Sequence, residues 1–334
     1  MTTCIVLNVG PLWPMKVDVW YVILAVGHCV DKRLRPPFPW YGGKHFMVNK
    51  LLPLIPKHHT YVEVFGGAAN LLLAKEPSPV EVYNDIDSGL VNFFRVIRDK
   101  DKFKRFYEQV VLIPCSREEY CYCRDTWRDE GDDVLRAVKW FLVARQSFSG
   151  VFGGGWGYSV SHSRRGMSGT VSGYLGAIET LPDIANRFLR VQIEHNDFRK
   201  IIAAYDTPNT FFYLDPPYVL ETRIGGEVYS NEMTLSDHED LVDLLLHIKG
   251  KAMLSGYEHN IYKSLEQAGW IKIKIEARCR ATGTTKGTKH LQNKENREKL
   301  ERTECVWLSP NCETIPKNEK QLTLLQDFTN NETS

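Results

Sequence analysis

Asp215-Pro216-Pro217-Tyr218 is the segment of this sequence best equipped for chemistry. It follows Thr210-Phe-Phe-Tyr-Leu214, whose apolar composition predicts a buried strand. A carboxylate at the carboxyl end of such a strand sits where open α/β sheets bind ligands. Two prolines fix the backbone, so the Pro216 carbonyl is not absorbed into a helix. A side-chain oxygen, a main-chain oxygen and the flat ring of Tyr218 together suit an exocyclic amine. They supply two acceptors for its two N–H bonds and a π-face for the base that carries it. The plainer alternative is a proline-terminated strand with a capping aspartate and a surface tyrosine.

Other segments could complete a site. Glu63-Val-Phe65-Gly66-Gly67-Ala68 places glycines between a predicted strand and a helix, where backbone can approach a ligand closely, although helix–sheet packing explains a glycine pair equally well. No Gly-x-Gly-x-x-Gly and no Walker lysine are present in this loop, which disfavours dinucleotides and triphosphates. Asp85 closes the next strand, Val80-Glu-Val-Tyr83, about 20 residues downstream, where an acid commonly binds ribose hydroxyls; it could equally cap the helix through Leu90. Trp40-Tyr41-Gly42-Gly43-Lys44 could hold a ligand with a carboxylate and a cationic centre, or form a turn. Asn196-Asp197-Phe198 could bond and stack on an adenine ring, or cap a helix before Arg199.

The elements that must position these residues read as a doubly wound α/β sheet: strand, glycine loop, helix, strand, acidic loop. Residues 1–35 are apolar and aromatic without clear periodicity and are left as an unassigned extension. Residues 36–105 and 191–312 form the catalytic domain, 106–190 a helical insert, and 313–334 a flexible polar tail. Within the insert, Asp132-Asp133 caps a predicted helix. Gly150 to Gly176 holds nine glycines, and no acidic residue lies between Ala144 and Ile178, so a long mobile loop is expected there. Ser236 and Glu239 are expected to form a capping box for a helix ending at Gly250. Residues 272–300 carry nine Lys/Arg against three Glu, a solvated loop or a phosphate-contacting one.

Composition narrows the classes. The 334 residues carry 42 Lys+Arg and 41 Asp+Glu, with 43% hydrophobic residues, which excludes disorder as the main state. Val17 to Val30 is too short and too polar to span a bilayer, and the N-terminus lacks a secretory pattern. Eight cysteines without Cys-x-x-Cys spacing are expected to be reduced thiols of a cytoplasmic protein. Cys115, Cys121 and Cys123 make a poor zinc pattern, and no metal is expected.

Taken in order, these segments resemble the Dam-type DNA adenine methylase family over most of residues 36–310. The order is Trp-Tyr-Gly-Gly-Lys, cofactor loop, insert, then Asp-Pro-Pro-Tyr. Arg145-Gln-Ser-Phe-Ser-Gly150 and Thr303-Glu-Cys-Val-Trp307 are similar to members from phages and prophages. The resemblance implies a Rossmann-like class I S-adenosylmethionine-dependent methyltransferase sheet with a helical target-recognition insert. It implies cofactor contacts from Trp40, Lys44, Glu63, Phe65, Gly66, Asp85, Asp197, Phe198 and Asp215, and catalysis by Asp215, Pro216, Pro217 and Tyr218. Arg145, Arg164, Arg165, Lys286 and Lys289 are the candidate DNA contacts. The implied reaction is methylation of adenine N6 in double-stranded DNA by a monomer, with a cognate restriction endonuclease as a candidate companion. The loop Phe65-Gly-Gly-Ala-Ala-Asn70 departs from relatives richer in glycine. Competing readings are a silent DNA-binding relative, or a methyltransferase acting on an RNA or protein amine.

Overall fold

The computed structural model describes residues 33–223, 231–278 and 301–312. In chain order its elements are α1 (Val48–Leu51), β1 (Thr60–Glu63), α2 (Asn70–Ala74), β2 (Val80–Asn84), α3 (Ser88–Arg98), α4 (Lys100–Val110), α5 (Arg117–Thr126), α6 (Asp133–Gln146), β3 (Ser163–Arg164), β4 (Met167–Ser168), α7 (Gly169–Phe188), β5 (Val191–Glu194), α8 (Phe198–Tyr205), β6 (Thr210–Leu214), α9 (Leu235–Leu246), β7 (Lys251–Gly256), α10 (Lys263–Gln267), β8 (Ile271–Arg278) and β9 (Glu301–Leu308). Residues 1–32, the tail 313–334 and both Lys286 and Lys289 lie outside the described residues. Among the described residues no helix is long and apolar enough to cross a membrane.

One seven-stranded sheet has the order β5-β2-β1-β6-β7-β9-β8. The first five strands run parallel, and β9 is antiparallel to both its neighbours. The parallel strands read as near-continuous apolar runs because both faces are covered; all five residues of β6 are buried. This is a Rossmann-like arrangement of a mostly parallel sheet. The chain leaves β1 for β2 on one side and later returns to β6 on the other, so the strand order reverses beside β1. Ligands of such sheets bind at that reversal, outside the carboxyl ends of the strands.

Helices α4 to α7 and the β3–β4 hairpin lie between β2 and β5 in sequence. The expected boundary at 105/106 falls inside α4, because Phe103, Phe106 and Val110 form one buried face of a continuous helix. The glycine-rich stretch also differs from expectation. Its segment 147–157 is cross-bonded: Gly157 N–H donates to the Gln146 carbonyl at 2.7 Å and Gly153 N–H donates to Ser147 Oγ at 3.0 Å. The stretch then forms the β3–β4 hairpin, and α7 begins at Gly169, so Gly173 and Gly176 are helical. The capping box is Thr234 with Asp237, two residues before the expected pair, since Asp237 accepts from Thr234 N–H at 2.9 Å.

A buried ionic cluster fastens α7 to the sheet. Arg187 on α7 donates to both carboxylate oxygens of Glu81 on β2, at 2.5 and 2.8 Å, and to the Leu72 carbonyl at 3.0 Å. Lys75 donates to Glu81 at 2.6 Å. Burial pushes the Glu81 carboxyl upward, but the Arg187 and Lys75 hydrogen bonds outweigh it and leave its pKa below the ordinary value. Removing one partner strands the others as buried charges, at a cost of about 3–5 kcal/mol. Glu81→Leu is therefore expected to lose about 3–5 kcal/mol in denaturant unfolding; wild-type stability would contradict the anchoring role.

Candidate active site

Loops from β1, β2, β5 and β6 enclose a cavity of about 330 Å³, lined among others by Trp40, Phe65, Gly66, Gly67, Asp85, Asp197, Phe198, Asp215 and Pro217. The binding segments read separately from the sequence therefore meet in one place. Asn84, which sequence reasoning passed over, holds their ends together. Its side-chain N–H groups donate to the carbonyls of Val64 at 2.9 Å and Asn196 at 3.0 Å, and its Oδ1 accepts from Asn196 N–H at 2.9 Å. The available signal was an amide next to an acid at the close of an apolar strand.

The glycine loop has two separate requirements. A Cβ on Gly66 would lie 2.2 Å from the Tyr83 ring, so backbone and ring can pack only without one. Gly67 has φ of +47°, in the left-handed region that glycine enters at low cost. Ala69 shares that region, with φ of +58°, and so α2 starts only at Asn70 rather than at Ala68. Tyr83 O–H donates to the Gly67 carbonyl at 2.7 Å. Asp85 fastens the loop by accepting from Gly67 N–H at 2.8 Å and from Asp87 N–H at 2.9 Å. The cap of α3 is Asp87, not Asp85. Burial raises the Asp85 pKa to about 6, against the pull of those two N–H groups.

Asp197 both lines the cavity and caps α8, accepting from Arg199 N–H at 2.9 Å and pairing with its guanidinium at 2.9 Å. The capping reading of that residue is met, and its place on the cavity wall leaves the adenine-binding reading as a proposal. Phe198 is buried against Phe65, with ring centroids 5.7 Å apart. Trp40 and the insert residues Gly150 and Phe152 also reach the wall; Phe152 stacks on Trp140 at 5.4 Å. Nothing in the sequence marked Phe152 as a cavity residue.

Beyond Asp215 the site becomes densely charged. Lys44 is 4% exposed, with its Nζ 2.9 Å from Asp215 Oδ1, 2.8 Å from the Gly42 carbonyl and 4.7 Å from the Tyr218 ring centre. Burial pushes the Asp215 pKa upward and the Lys44 charge pulls it back. Glu63 is fully withdrawn from water, and burial followed by repulsion from Asp215 drives its pKa well up. Glu63, Lys44, Pro216 and Tyr218 are not wall residues of the cavity; they lie around Asp215 or within its loop. Tyr218 O–H donates to Glu304 at 2.6 Å. Glu304 escaped sequence reasoning, although a lone acid entering the apolar run Cys305–Leu308 was a usable sign.

The candidate DNA contacts divide. Arg145 is packed between α6 and α7, where a Cβ on Gly173 would lie 2.7 Å from its guanidinium, and burial lowers its pKa. It is partly exposed and packs along α7 within the insert. Arg164 is exposed on the β3–β4 hairpin. Arg165, at the turn with φ of +56°, pairs with Glu179 at 2.7 Å. Two lysines of the basic segment are also engaged: Lys272 and Lys274 bond to Glu258 at 2.8 and 3.1 Å. Exposed Arg117 lies over the stacked rings of Trp156 and Tyr158. Among the described residues no group of three His, Cys, Asp or Glu is placed to hold a metal ion.

Residues 40–278 match the family described as D12 class N6 adenine-specific DNA methyltransferase. The chain is 24% identical over 202 residues to a modification methylase, StsI, of Streptococcus sanguinis, covering 57% of this chain and 30% of that protein. It is 22% identical over 241 residues to the type II methyltransferase M.FokI of Planomicrobium okeanokoites, covering 68% and 36%. A DNA adenine methylase of Vibrio cholerae is 23% identical over 227 residues, covering 64% and 76%. The chain thus spans about a third of the length of the first two relatives.

The Asp85 geometry makes a pH prediction. Hydroxyl groups of a bound ribose would donate to the ionised carboxylate, whose pKa before binding is about 6. Affinity for S-adenosylmethionine, measured by calorimetry, should be level above that pH and fall below it. Asp85→Asn should bind more weakly and lose this acid limb; an unaltered limb in the variant would assign it to another group.

Proposed function

This chain belongs to the D12 class N6 adenine-specific DNA methyltransferase family, and on that premise we propose that it transfers the methyl group of S-adenosylmethionine to the N6 amine of an adenine extruded from double-stranded DNA. The observation that carries the reading is the position of Asp215. It ends the strand beside the reversal of strand order, is paired with Lys44, and shares a wall with the glycine loop, Asp85 and Asp197.

The residues present suit the cofactor. A cavity of about 330 Å³ falls within the usual range for small-molecule sites. Gly66 and Gly67 line it, kept as glycines by contact with Tyr83 and Trp40, Asp85 offers acceptors for a diol, and Phe65 with Phe198 forms an apolar wall. When bound, S-adenosylmethionine supplies an electrophilic methyl group on a sulfonium.

The chain's own task concerns the amine. Adenine N6 is a poor nucleophile because its lone pair is delocalised into the ring. Hydrogen bonds from its two N–H groups to the Asp215 carboxylate and the Pro216 carbonyl favour a pyramidal nitrogen and direct the lone pair toward the cofactor. Asp215 also stands ready to take the proton that the amine sheds on methylation. The Lys44 ammonium opposes the neutral form that burial favours in this carboxylate. Tyr218 replaces part of the stacking that the base loses on leaving the duplex. Positioning of this kind can supply ~7–11 kcal/mol.

The insert is proposed to meet the DNA. Arg164 is exposed on a hairpin, and the Arg165–Glu179 pair is a solvent-facing one of small energetic worth, readily exchanged for a phosphate. The Arg117–Trp156–Tyr158 stack adds exposed aromatic surface beside a cation. The enzyme is taken to act as a monomer in the cytoplasm. The names of the first two relatives support a companion restriction endonuclease.

The purified protein should methylate plasmid DNA with S-adenosylmethionine, read as N6-methyladenine by mass spectrometry. Asp215→Ala should lower the rate by roughly a thousandfold or more, part of the ~7–11 kcal/mol that positioning can supply. Binding of DNA by the wild type without methylation would favour a silent DNA-binding relative. Methylation confined to RNA or protein would retain the chemistry and replace the substrate.

A further inference from the structure

Glu304 is an acid where the strand around it is apolar. Cys305, Val306, Trp307 and Leu308 of β9 are all buried, and Glu304 itself is 7% exposed. A carboxylate withdrawn from water in this way is costly unless it is bonded. Its bond is to the Tyr218 phenol, which donates to Glu304 Oε2 at 2.6 Å. Around the same ring, the Lys44 ammonium lies 4.7 Å from the centroid, and the Tyr257 ring meets it edge-on at 4.7 Å and 74°. The phenol is therefore fixed at its tip by Glu304, with Lys44 over the ring and Tyr257 in a T-shaped contact with it. Two prolines separate Tyr218 from Asp215, so little backbone rotation is left to decouple the ring from the carboxylate.

The geometry points to Glu304 as a positioning residue for methyl transfer: by accepting from the Tyr218 hydroxyl it sets the plane on which the extruded adenine stacks, and thereby the aim of its amine between Asp215 and Pro216. This role rests on the adenine methyltransferase reading above. Glu304 touches neither the amine nor the methyl group and acts only through Tyr218. A purely structural bond between β9 and the Asp-Pro-Pro-Tyr loop would have a different signature, lowering stability while leaving the folded fraction with wild-type kinetics.

The test is single-turnover methylation of plasmid DNA by the full chain, with the rate followed against DNA concentration. Glu304→Met, which fills the space without an acceptor, should lower the maximal rate by about 10- to 100-fold, the scale of a small misplacement of reacting groups. Its half-saturating DNA concentration should stay close to that of the wild type. Glu304→Gln retains an acceptor oxygen and should recover most of the rate. Tyr218→Phe removes the same bond from the other side and should show the same split, and the double variant should lose no more than either single one. Should Glu304→Met fail to fold, the Tyr218→Phe split carries the test. Wild-type rates in Glu304→Met or Tyr218→Phe, or fully additive losses, would overturn the role. An inert wild type would overturn the methyltransferase reading and this role with it, whereas an active wild type with unaffected variants overturns only the role of Glu304.

Discussion

Asp215 and Lys44 face each other at 2.9 Å, largely withdrawn from water, and the arrangement of the site follows from that pair. An unpaired carboxylate at this depth would be driven to its neutral form, and the effective penalty for burying each ion is several kcal/mol. A neutral Asp215 would offer one acceptor fewer to an amine. The segment Trp40–Lys44 must therefore lie across the ends of β1 and β6, although it precedes both in sequence. The same placement brings Trp40 to the cavity wall and Lys44 to the Tyr218 ring. Glu304 is repelled by Asp215 and favoured by Lys44, so the ammonium balances more than one acid.

The cavity and the charged cluster share a wall but are stabilised differently. The cavity is held by backbone and amide hydrogen bonds: Asn84 ties β1, β2 and β5 at their carboxyl ends, and Asp85 ties the glycine loop to the start of α3. The cluster around Asp215 is held by charge and a phenol bond. This separation lets one region accept a polar, flexible molecule while the other fixes the direction of a single amine. The cross-bonded 147–157 segment joins the cavity to the surface of the insert, since Phe152 forms part of the wall and Trp156 stacks on exposed Tyr158.

Local patterns made much of this legible. Apolar runs ending in Gly66, Asp85, Asp197 and Asp215 marked strand ends, and strand ends of a parallel sheet are where ligands gather. Contacts between distant segments were harder to read. Arg145 was legible as a candidate contact, but its packing against Gly173 depends on α7 beginning at Gly169, which no local pattern marked. Glycines that suggested a mobile loop serve two ends: Gly153, Gly155 and Gly166 take positive φ, while Gly157, Gly169 and Gly173 admit close contacts. The capping box moved because Thr234 with Asp237 satisfies the same rule as Ser236 with Glu239, and tertiary contact with Arg199 favours the former. Glu304 acquires meaning only when β9 places it against Tyr218, a pairing across 86 residues that no local window contains.

The most direct measurement is a crystal structure of the chain with duplex DNA and a non-transferring analogue of the cofactor. That structure should show an adenine outside the helix, its amine within hydrogen-bond reach of the Asp215 carboxylate and the Pro216 carbonyl, its ring against Tyr218, and the analogue lying along Phe65–Gly67 and Asp85. An adenine still stacked in a fully engaged complex, or a base seated with its amine away from Asp215, would contradict it.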